Sequence, residues 1–128
     1  MKNILTESLE NYLETIAMLK RTKNLVRVKD IAKKLNVKNS SVNIALNILS
    51  EKDLVIHERY GYVDLTEKGQ KIADDIQYKE DVMYKFFTEI LNVDETVAKN
   101  DACKIEHTIS DETLSKLIFF IGKLKKEN

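Results

Sequence analysis

The stretch from Val28 to Leu49 reads VKDIAKKLNVKNSSVNIALNIL, and its pattern decides the fold. Apolar residues at three- and four-residue steps predict a helix from Val28 to Leu35 and another that ends near Lys52. Between them, Asn36 suits a left-handed C-cap, and the run Asn39-Ser40-Ser41 offers N-cap side chains. A short helix, a tight turn and a capped helix together predict a helix-turn-helix.

The next segment predicts a β-hairpin. Leu54-Val55-Ile56-His57 and Tyr62-Val63-Asp64-Leu65 are short β-prone runs, and Gly61 in the loop between them can adopt a positive φ. Arg59 and Tyr60 stand near the tip of this hairpin. Because a hairpin appended to a helix-turn-helix is typical of a wing, the sequence predicts a winged helix.

Further helices are expected on both sides of this region. The apolar spacing predicts helices from Thr6 to Arg21, from Thr66 to about Leu91, from Asp94 to position 108, and after Ser110. The expected N-caps of these helices are Thr6, Thr66, Asp94 and Ser110. The predicted fold class is therefore mainly α with a small β-hairpin. A winged helix-turn-helix DNA-binding domain is expected in residues 1–72, and a helical domain in residues 73–128.

The last helix carries apolar side chains on two sides. Its main stripe consists of Leu114, Leu117, Ile118, Ile121 and Leu124. Phe119 and Phe120 lie off that stripe. Burial of this second face is most simply explained by a partner subunit, so the sequence predicts a homodimer.

Length and composition restrict the class of protein. A chain of 128 residues has the size of one domain, or of a small domain with an appendage. No apolar run approaches the roughly 18–20 residues that a membrane span needs, and the N-terminus lacks the apolar region of a signal peptide. A cytoplasmic protein without a membrane partner is expected.

The net charge of zero conceals an uneven distribution. Residues 1–65 carry eleven Lys or Arg and eight Asp or Glu, whereas residues 66–128 carry ten and thirteen. The basic excess lies mainly between Lys20 and Lys38, which is compatible with a solvated helix surface or with a DNA-binding face. The candidate DNA-binding residues are Arg27, Lys38, Asn39, Ser40, Ser41, Asn43, Arg59 and Tyr60. In the second helix of the helix-turn-helix, Ile44 can contact thymine methyl groups.

Three residues with metal-binding side chains lie within five positions of each other. In a helix over residues 94–108, Cys103, Glu106 and His107 occupy positions i, i+3 and i+4, so one face can hold one cation. Taken alone, they are also compatible with a small buried Cys103 and two ordinary surface residues. His57, the other histidine, lies in the predicted wing and is not expected to bind metal.

Several of these stretches resemble the metal-dependent repressors of the diphtheria-toxin-repressor and manganese-transport-regulator type, over nearly the whole chain. The first helix of that family is similar to Leu9–Ile16, and its helix-turn-helix is similar to Ile31–Leu35 together with Ser40–Val42. The segment that follows its wing is similar to Leu65–Gly69. The most specific stretch is Asn100–His107 followed by Ser110–Glu112, which is similar to the ligand helix of the family. The resemblance implies that the helical domain binds metal and forms the dimer.

The resemblance also implies a set of ligands. It implies metal ligands at Cys103, Glu106 and His107, with Asn11 and Glu14 from the first helix and Glu80 from the long helix. Asn11 stands where members usually offer Met or Asp; a neutral amide is a poor ligand, so Glu14 is expected to contribute most from that helix. Glu80 stands where members usually offer His. Tyr84 and Lys99, neither of them a good metal ligand, stand at positions of a second, ancillary site.

A mixed set of carboxylates, imidazole and thiolate suits Fe(II) or Mn(II). Zn(II) or Co(II) binds such donors more tightly and can take the place of Fe(II) or Mn(II) in vitro. The expected function is that of a repressor, not an enzyme, in which metal switches the affinity for a palindromic operator that controls metal homeostasis. One alternative is a winged-helix regulator that responds to a small ligand or to oxidation of Cys103. A more distant alternative is a metallohydrolase in which Glu106 acts as a base beside bound water.

Overall fold

The computed structural model describes residues 5–58 and 61–127, and it has the winged-helix arrangement that the sequence predicts. The elements are α1 (Glu7–Thr22), β1 (Val26–Arg27), α2 (Val28–Leu35), α3 (Asn39–Glu51), β2 (Val55–His57), β3 (Tyr62–Leu65), α4 (Glu67–Lys85), α5 (Glu95–Ile105) and α6 (Asp111–Glu127). A π-helical turn, Phe86–Ile90, follows α4. The chain divides into two compact units, the N-terminal unit (residues 1–75) and the C-terminal unit (residues 76–128).

The helix signals of the N-terminal unit are mostly confirmed. The Oγ1 atom of Thr6 accepts a hydrogen bond from the Leu9 N–H at 3.1 Å and so caps α1. Helix α2 has the predicted bounds, and Asn36 ends it in the left-handed conformation, with φ 56° and ψ 51°. Asn36 therefore turns the chain between the two helices of the helix-turn-helix.

The start of α3 differs from the prediction. The cap position is held by Lys38, in an extended conformation and without a side-chain hydrogen bond, so the expectation that residues 39–41 supply the cap is wrong. The N–H groups of Ser41 and Val42 both donate to the Lys38 carbonyl oxygen, which begins the helix before either serine can cap it. As a result, Ser40 and Ser41 lie inside the first turn with exposed side chains.

The predicted hairpin is part of a three-stranded antiparallel sheet of order β1-β3-β2. Strand β2 pairs with β3 in the register Val55 to Leu65, and Gly61 adopts a φ of 89° in the connecting loop. The first strand, β1, was not predicted because two residues are too few to show an alternating pattern. It places Val26 opposite Val63 and joins the chain before α2 to the wing.

The core of the N-terminal unit is apolar. Its most deeply buried side chains are Leu13, Ile16, Val26, Ile31, Val42, Leu46, Leu49 and Leu54. At its edge, the Gly69 N–H donates to Thr66 Oγ1 at 3.0 Å, which confirms the predicted cap of α4. A Cβ atom on Gly69 would clash with the Leu54 carbonyl group, so glycine permits this close approach.

The helices after the wing follow the predicted bounds with one difference in type and one in length. The segment predicted to be helical to about Leu91 is helical to Ile90, but beyond Lys85 it widens into the π turn, where the Leu91 N–H donates to the Phe86 carbonyl at 3.1 Å. Helix α5 is capped by Asp94 as predicted, but it ends at Ile105 and not at position 108. Ser110 Oγ accepts from the Thr113 N–H at 3.1 Å, which confirms the start of α6.

Candidate metal centre and nucleic-acid interface

The end of α5 brings Glu106 and His107 together in a buried position. Glu106 is the C-cap residue and keeps a helical backbone, with its N–H bonded to the Ala102 carbonyl. It is 2% exposed, and the His107 side chain is equally withdrawn from solvent. The His107 Nε2 atom lies 3.2 Å from the Glu106 Oε1 atom. The interpretation of these two residues as ordinary surface residues is therefore wrong.

The chemistry of this pair fits a divalent transition metal. Bonds from such a metal to carboxylate oxygen and imidazole nitrogen are about 2.0–2.2 Å long, which places neighbouring ligand atoms about 3 Å apart. The 3.2 Å between Oε1 and Nε2 is close to that spacing. Burying a carboxylate is costly unless hydrogen bonds or positive charge compensate it, and a metal ion supplies such charge.

Cys103 has a different environment from the buried pair. It lies one turn before Glu106, but its side chain is exposed, so the interpretation of Cys103 as a small buried residue is wrong. An exposed thiol is accessible both to metal ions and to oxidants. Its role as a ligand stays a prediction.

Glu80 is also buried, and it has a partner that no local sequence pattern predicts. It lies on α4 and is 4% exposed, and its Oε1 atom is 2.6 Å from the Nζ atom of Lys99 on α5. The hydrogen bond from Lys99 to Glu80 outweighs burial and raises the pKa of Lys99 above its usual value. The two residues are nineteen positions apart, so no spacing rule connects them.

The candidate ligands of the first helix border its buried face. Asn11 and Glu14 lie three residues apart on α1 and both are half-buried. Tyr12, Leu13, Thr15 and Ile16, around them, are buried. The carboxylate of Glu14 offers a negatively charged oxygen to a metal, whereas the amide of Asn11 offers only a neutral one.

The N-terminal end of α3 presents a polar surface with the features of an anion-binding site. Lys38, Asn39, Ser40, Ser41 and Asn43 are all exposed. The first turn contains no acidic residue and no side-chain cap. Because the first N–H groups of a helix lack intrahelical acceptors, this end can donate hydrogen bonds to phosphate oxygens.

Arg27 connects the start of α2 to the wing. Its Nη2 atom donates to Tyr62 Oη at 3.1 Å, and its guanidinium carbon lies 5.2 Å from the centre of the Tyr62 ring. The side chain remains exposed. Its charge is thus held on the exposed surface beside the Tyr62 ring. Arg59 and Tyr60, the candidates at the wing tip, lie outside the described residues.

Two family models match the chain and together account for nearly all of it. "Iron dependent repressor, N-terminal DNA binding domain" matches residues 4–63, and "Iron dependent repressor, metal binding and dimerisation domain" matches residues 66–128. The chain belongs to the iron-dependent repressor family. This confirms both the resemblance and the predicted fold class.

Similar proteins include one of nearly the same length and others about twice as long. An uncharacterized HTH-type transcriptional regulator, MJ0568 of Methanocaldococcus jannaschii, is 37% identical over 94% of this chain and 98% of its own length. The solved structure of the manganese regulator SloR is 29% identical over 92% of this chain, with a TM-score of 0.75. IdeR of T. acidophilum is 24% identical over 95% of this chain, with a TM-score of 0.76, which shows a shared fold.

The chain spans about half the length of the SloR and IdeR chains, 55% and 56% respectively. Its family is one of transcriptional regulators that bind DNA, a divalent metal ion and a second copy of the chain. In the described part of the chain, every helix is too short or too polar to cross a membrane.

Proposed function

We propose that this chain is a dimeric repressor whose affinity for operator DNA rises when a divalent metal, Fe(II) or Mn(II), binds at Glu106 and His107. The observation that carries the proposal is the buried pair itself, with Oε1 and Nε2 3.2 Å apart. It lies in the segment that matches a metal-binding and dimerisation domain. The same chain carries a helix-turn-helix with an exposed, polar N-terminal end of its second helix.

The proposed ligand set extends beyond this pair. Glu14 supplies a carboxylate from α1, and Cys103 supplies a thiolate from the exposed side of α5. Asn11 and Glu80 are the remaining candidates that the family resemblance implies. A bound metal would supply the positive charge that buried carboxylates need. Metal that binds better to the DNA-competent arrangement shifts the population toward it.

On the DNA side, the N-terminal end of α3 enters the major groove. Lys38 and the helix N-terminus bind phosphate, while Asn39, Ser40, Ser41 and Asn43 are within one turn of each other and can reach base edges. Arg27 beside the sheet, and Arg59 and Tyr60 at the wing tip, contact the backbone or minor groove. A two-fold dimer reads a palindromic operator, and the genes it controls serve metal homeostasis.

The test is anaerobic DNA binding measured by fluorescence anisotropy, with duplexes from the region upstream of the protein's own gene. Fe(II), Mn(II) and Zn(II) are titrated separately. We expect each effective metal to tighten DNA binding by the parent protein.

The variants His107→Ala and Glu106→Gln should keep the metal-free affinity for DNA and lose the stimulation by metal, because each lacks one proposed ligand. Glu95→Gln is the matched control, since it removes an exposed carboxylate from the same helix. Equal stimulation of the parent and the ligand variants would refute the proposal.

The exposure of Cys103 favours a second candidate function, in which thiol oxidation and not metal controls DNA binding. Its test is DNA binding in the presence of a metal chelator, with and without hydrogen peroxide. If oxidation controls the protein, peroxide changes the affinity of the parent, and Cys103→Ser removes the effect. A metal response without a peroxide response favours the first proposal.

A further inference from the structure

The ion pair between Glu80 and Lys99 lies inside the C-terminal unit and joins α4 to α5. Glu80 is almost completely buried, and the Nζ atom of Lys99 approaches its Oε1 atom to 2.6 Å. A hydrogen bond between two charged groups at this distance is among the stronger polar contacts in proteins. The carboxylate that a metal would need at this position is therefore already bound to a cation.

Lys99 makes this contact while most of its side chain stays in solvent. Its side chain is 64% exposed, so the aliphatic stem extends from the surface of α5 and only the ammonium reaches the buried carboxylate. The long stem lets Lys99 deliver a positive charge to Glu80 without the coordination geometry that a metal requires.

The surroundings would suit a cation if Lys99 were absent. A cleft of about 520 Å³ has Glu80, Asp81, Glu95 and Lys99 in its lining. Glu80 is its buried carboxylate, and Asp81 and Glu95 add two further acids. Lys99 is the basic residue of this lining, and its ammonium bonds to the deepest of the three carboxylates.

We infer that Lys99 acts as a tethered cation that holds Glu80 in place of a metal ion, so that each chain binds one divalent ion. This inference rests on the proposed function, and it removes Glu80 from the proposed ligand set. A metal bound by Glu80 would have to displace the ammonium and would then lie beside its positive charge. Both effects oppose metal binding at Glu80.

The inference makes opposite predictions for the two partners. Loss of the Glu80 carboxylate should leave metal binding nearly unchanged, because Glu80 is not a ligand. Loss of the Lys99 ammonium should free Glu80 beside Asp81 and Glu95 and so create a second, weaker cation site. Lys99→Arg keeps the charge and should preserve the parental stoichiometry.

The test is equilibrium dialysis of the apo-protein against Mn(II), with unbound Mn(II) measured by electron paramagnetic resonance. We expect one Mn(II) per chain for the parent, Lys99→Arg and Glu80→Gln, and a second, weaker Mn(II) for Lys99→Ala. The double variant Glu80→Gln/Lys99→Ala should bind one again, which shows that the second site uses Glu80 and that the fold survives. Lys104→Ala, an exposed lysine of the same helix, is the control and should bind one.

Each outcome has a definite meaning. Two ions on the parent, or a loss of more than tenfold in Mn(II) affinity for both Glu80→Gln and the double variant, would overturn the inference while the proposed function stood. One ion on Lys99→Ala would also overturn it. A parent that binds neither Mn(II) nor, under anaerobic conditions, Fe(II) tighter than millimolar would refute both the one-ion stoichiometry and the proposed metal control.

Discussion

The two units of the chain bury different chemistry. In the part of the N-terminal unit that the structure describes, the buried side chains are apolar apart from Thr15. In the C-terminal unit, Glu80 and Glu106 are buried beside a smaller apolar set, Ile76, Met83, Ala98, Ala102 and Leu114. An apolar core is stable by itself, whereas buried carboxylates need compensating charge. The N-terminal unit therefore depends on apolar packing, whereas the C-terminal unit also needs positive charge beside its buried carboxylates, which Lys99 supplies to Glu80.

The largest effect that tests this comparison is expected from the apolar core. Leu46 is completely buried in α3, so Leu46→Ala should lower the free energy of unfolding by about 2–5 kcal/mol. Metal should restore little of this loss, because the cavity lies in the unit that depends on packing. Urea unfolding of the apo-protein measures the change. Leu25→Ala, an exposed leucine of the same unit, is the control and should stay within about 0.5 kcal/mol of the parent.

The second effect concerns apolar surface that the C-terminal unit leaves exposed. Phe119 is 75% and Phe120 is 48% exposed on α6, in the segment that matches a dimerisation domain. Phe119→Ser should weaken the dimer by about 2 kcal/mol, or roughly thirtyfold in the dissociation constant, if this ring is central to the interface. Analytical ultracentrifugation measures the constant. Lys116→Ser, also exposed on α6, should leave it unchanged. A parental constant for Phe119→Ser would place the dimer interface elsewhere.

The contrast between the units also explains how far the sequence could predict the fold. Periodic apolar residues, the Thr6, Thr66, Asp94 and Ser110 caps, and the left-handed Asn36 all act locally, and each was predicted. Strand β1 exists only through its pairing with β3, which no local pattern encodes. The π turn after Lys85 changes the helix by one residue, and apolar spacing over a single turn cannot reveal that change.

The candidate site was less predictable for the same reason. Spacing alone put Cys103, Glu106 and His107 on one face, and the structure buries only the last two of them. Burial depends on tertiary packing, which the sequence does not display. The contact between Glu80 and Lys99 joins two helices, so it too follows from packing and not from a motif.

A smaller effect, on DNA affinity, is expected from Ile44, an exposed apolar residue of the N-terminal unit. Ile44 lies on α3 and is 63% exposed, although its unit otherwise buries much of its apolar surface. If it contacts a thymine methyl group in the operator, replacing thymine with uracil should cost about 0.8 kcal/mol per methyl, or about fourfold in affinity. Duplexes amplified with dUTP in place of dTTP test this by anisotropy. Ile44→Ala should bind both duplexes equally, whereas Ile48→Ala should discriminate like the parent. Equal binding of both duplexes by the parent would show that Ile44 does not read these methyl groups.

The smallest effect concerns Asp30, the group of the N-terminal unit that most resembles the buried carboxylates of the C-terminal unit. Burial raises its pKa, but the hydrogen bond from the Arg27 N–H at 2.9 Å, together with Lys23 and Lys29, outweighs burial and holds the pKa below its ordinary value of 3.8. A depressed pKa stabilises the folded state at all pH values above the ordinary pKa, and this contribution disappears as the pH falls through the pKa of the folded state.

The variant Asp30→Asn should therefore be less stable than the parent at pH 7, by less than about 1 kcal/mol, and the difference should shrink below about pH 4. Urea unfolding from pH 7 to pH 3 measures it, with Glu51→Gln as an exposed control for the general effect of lost charge. A difference that stays constant across this range would mean that Asp30 stabilises the start of α2 by hydrogen bonding alone.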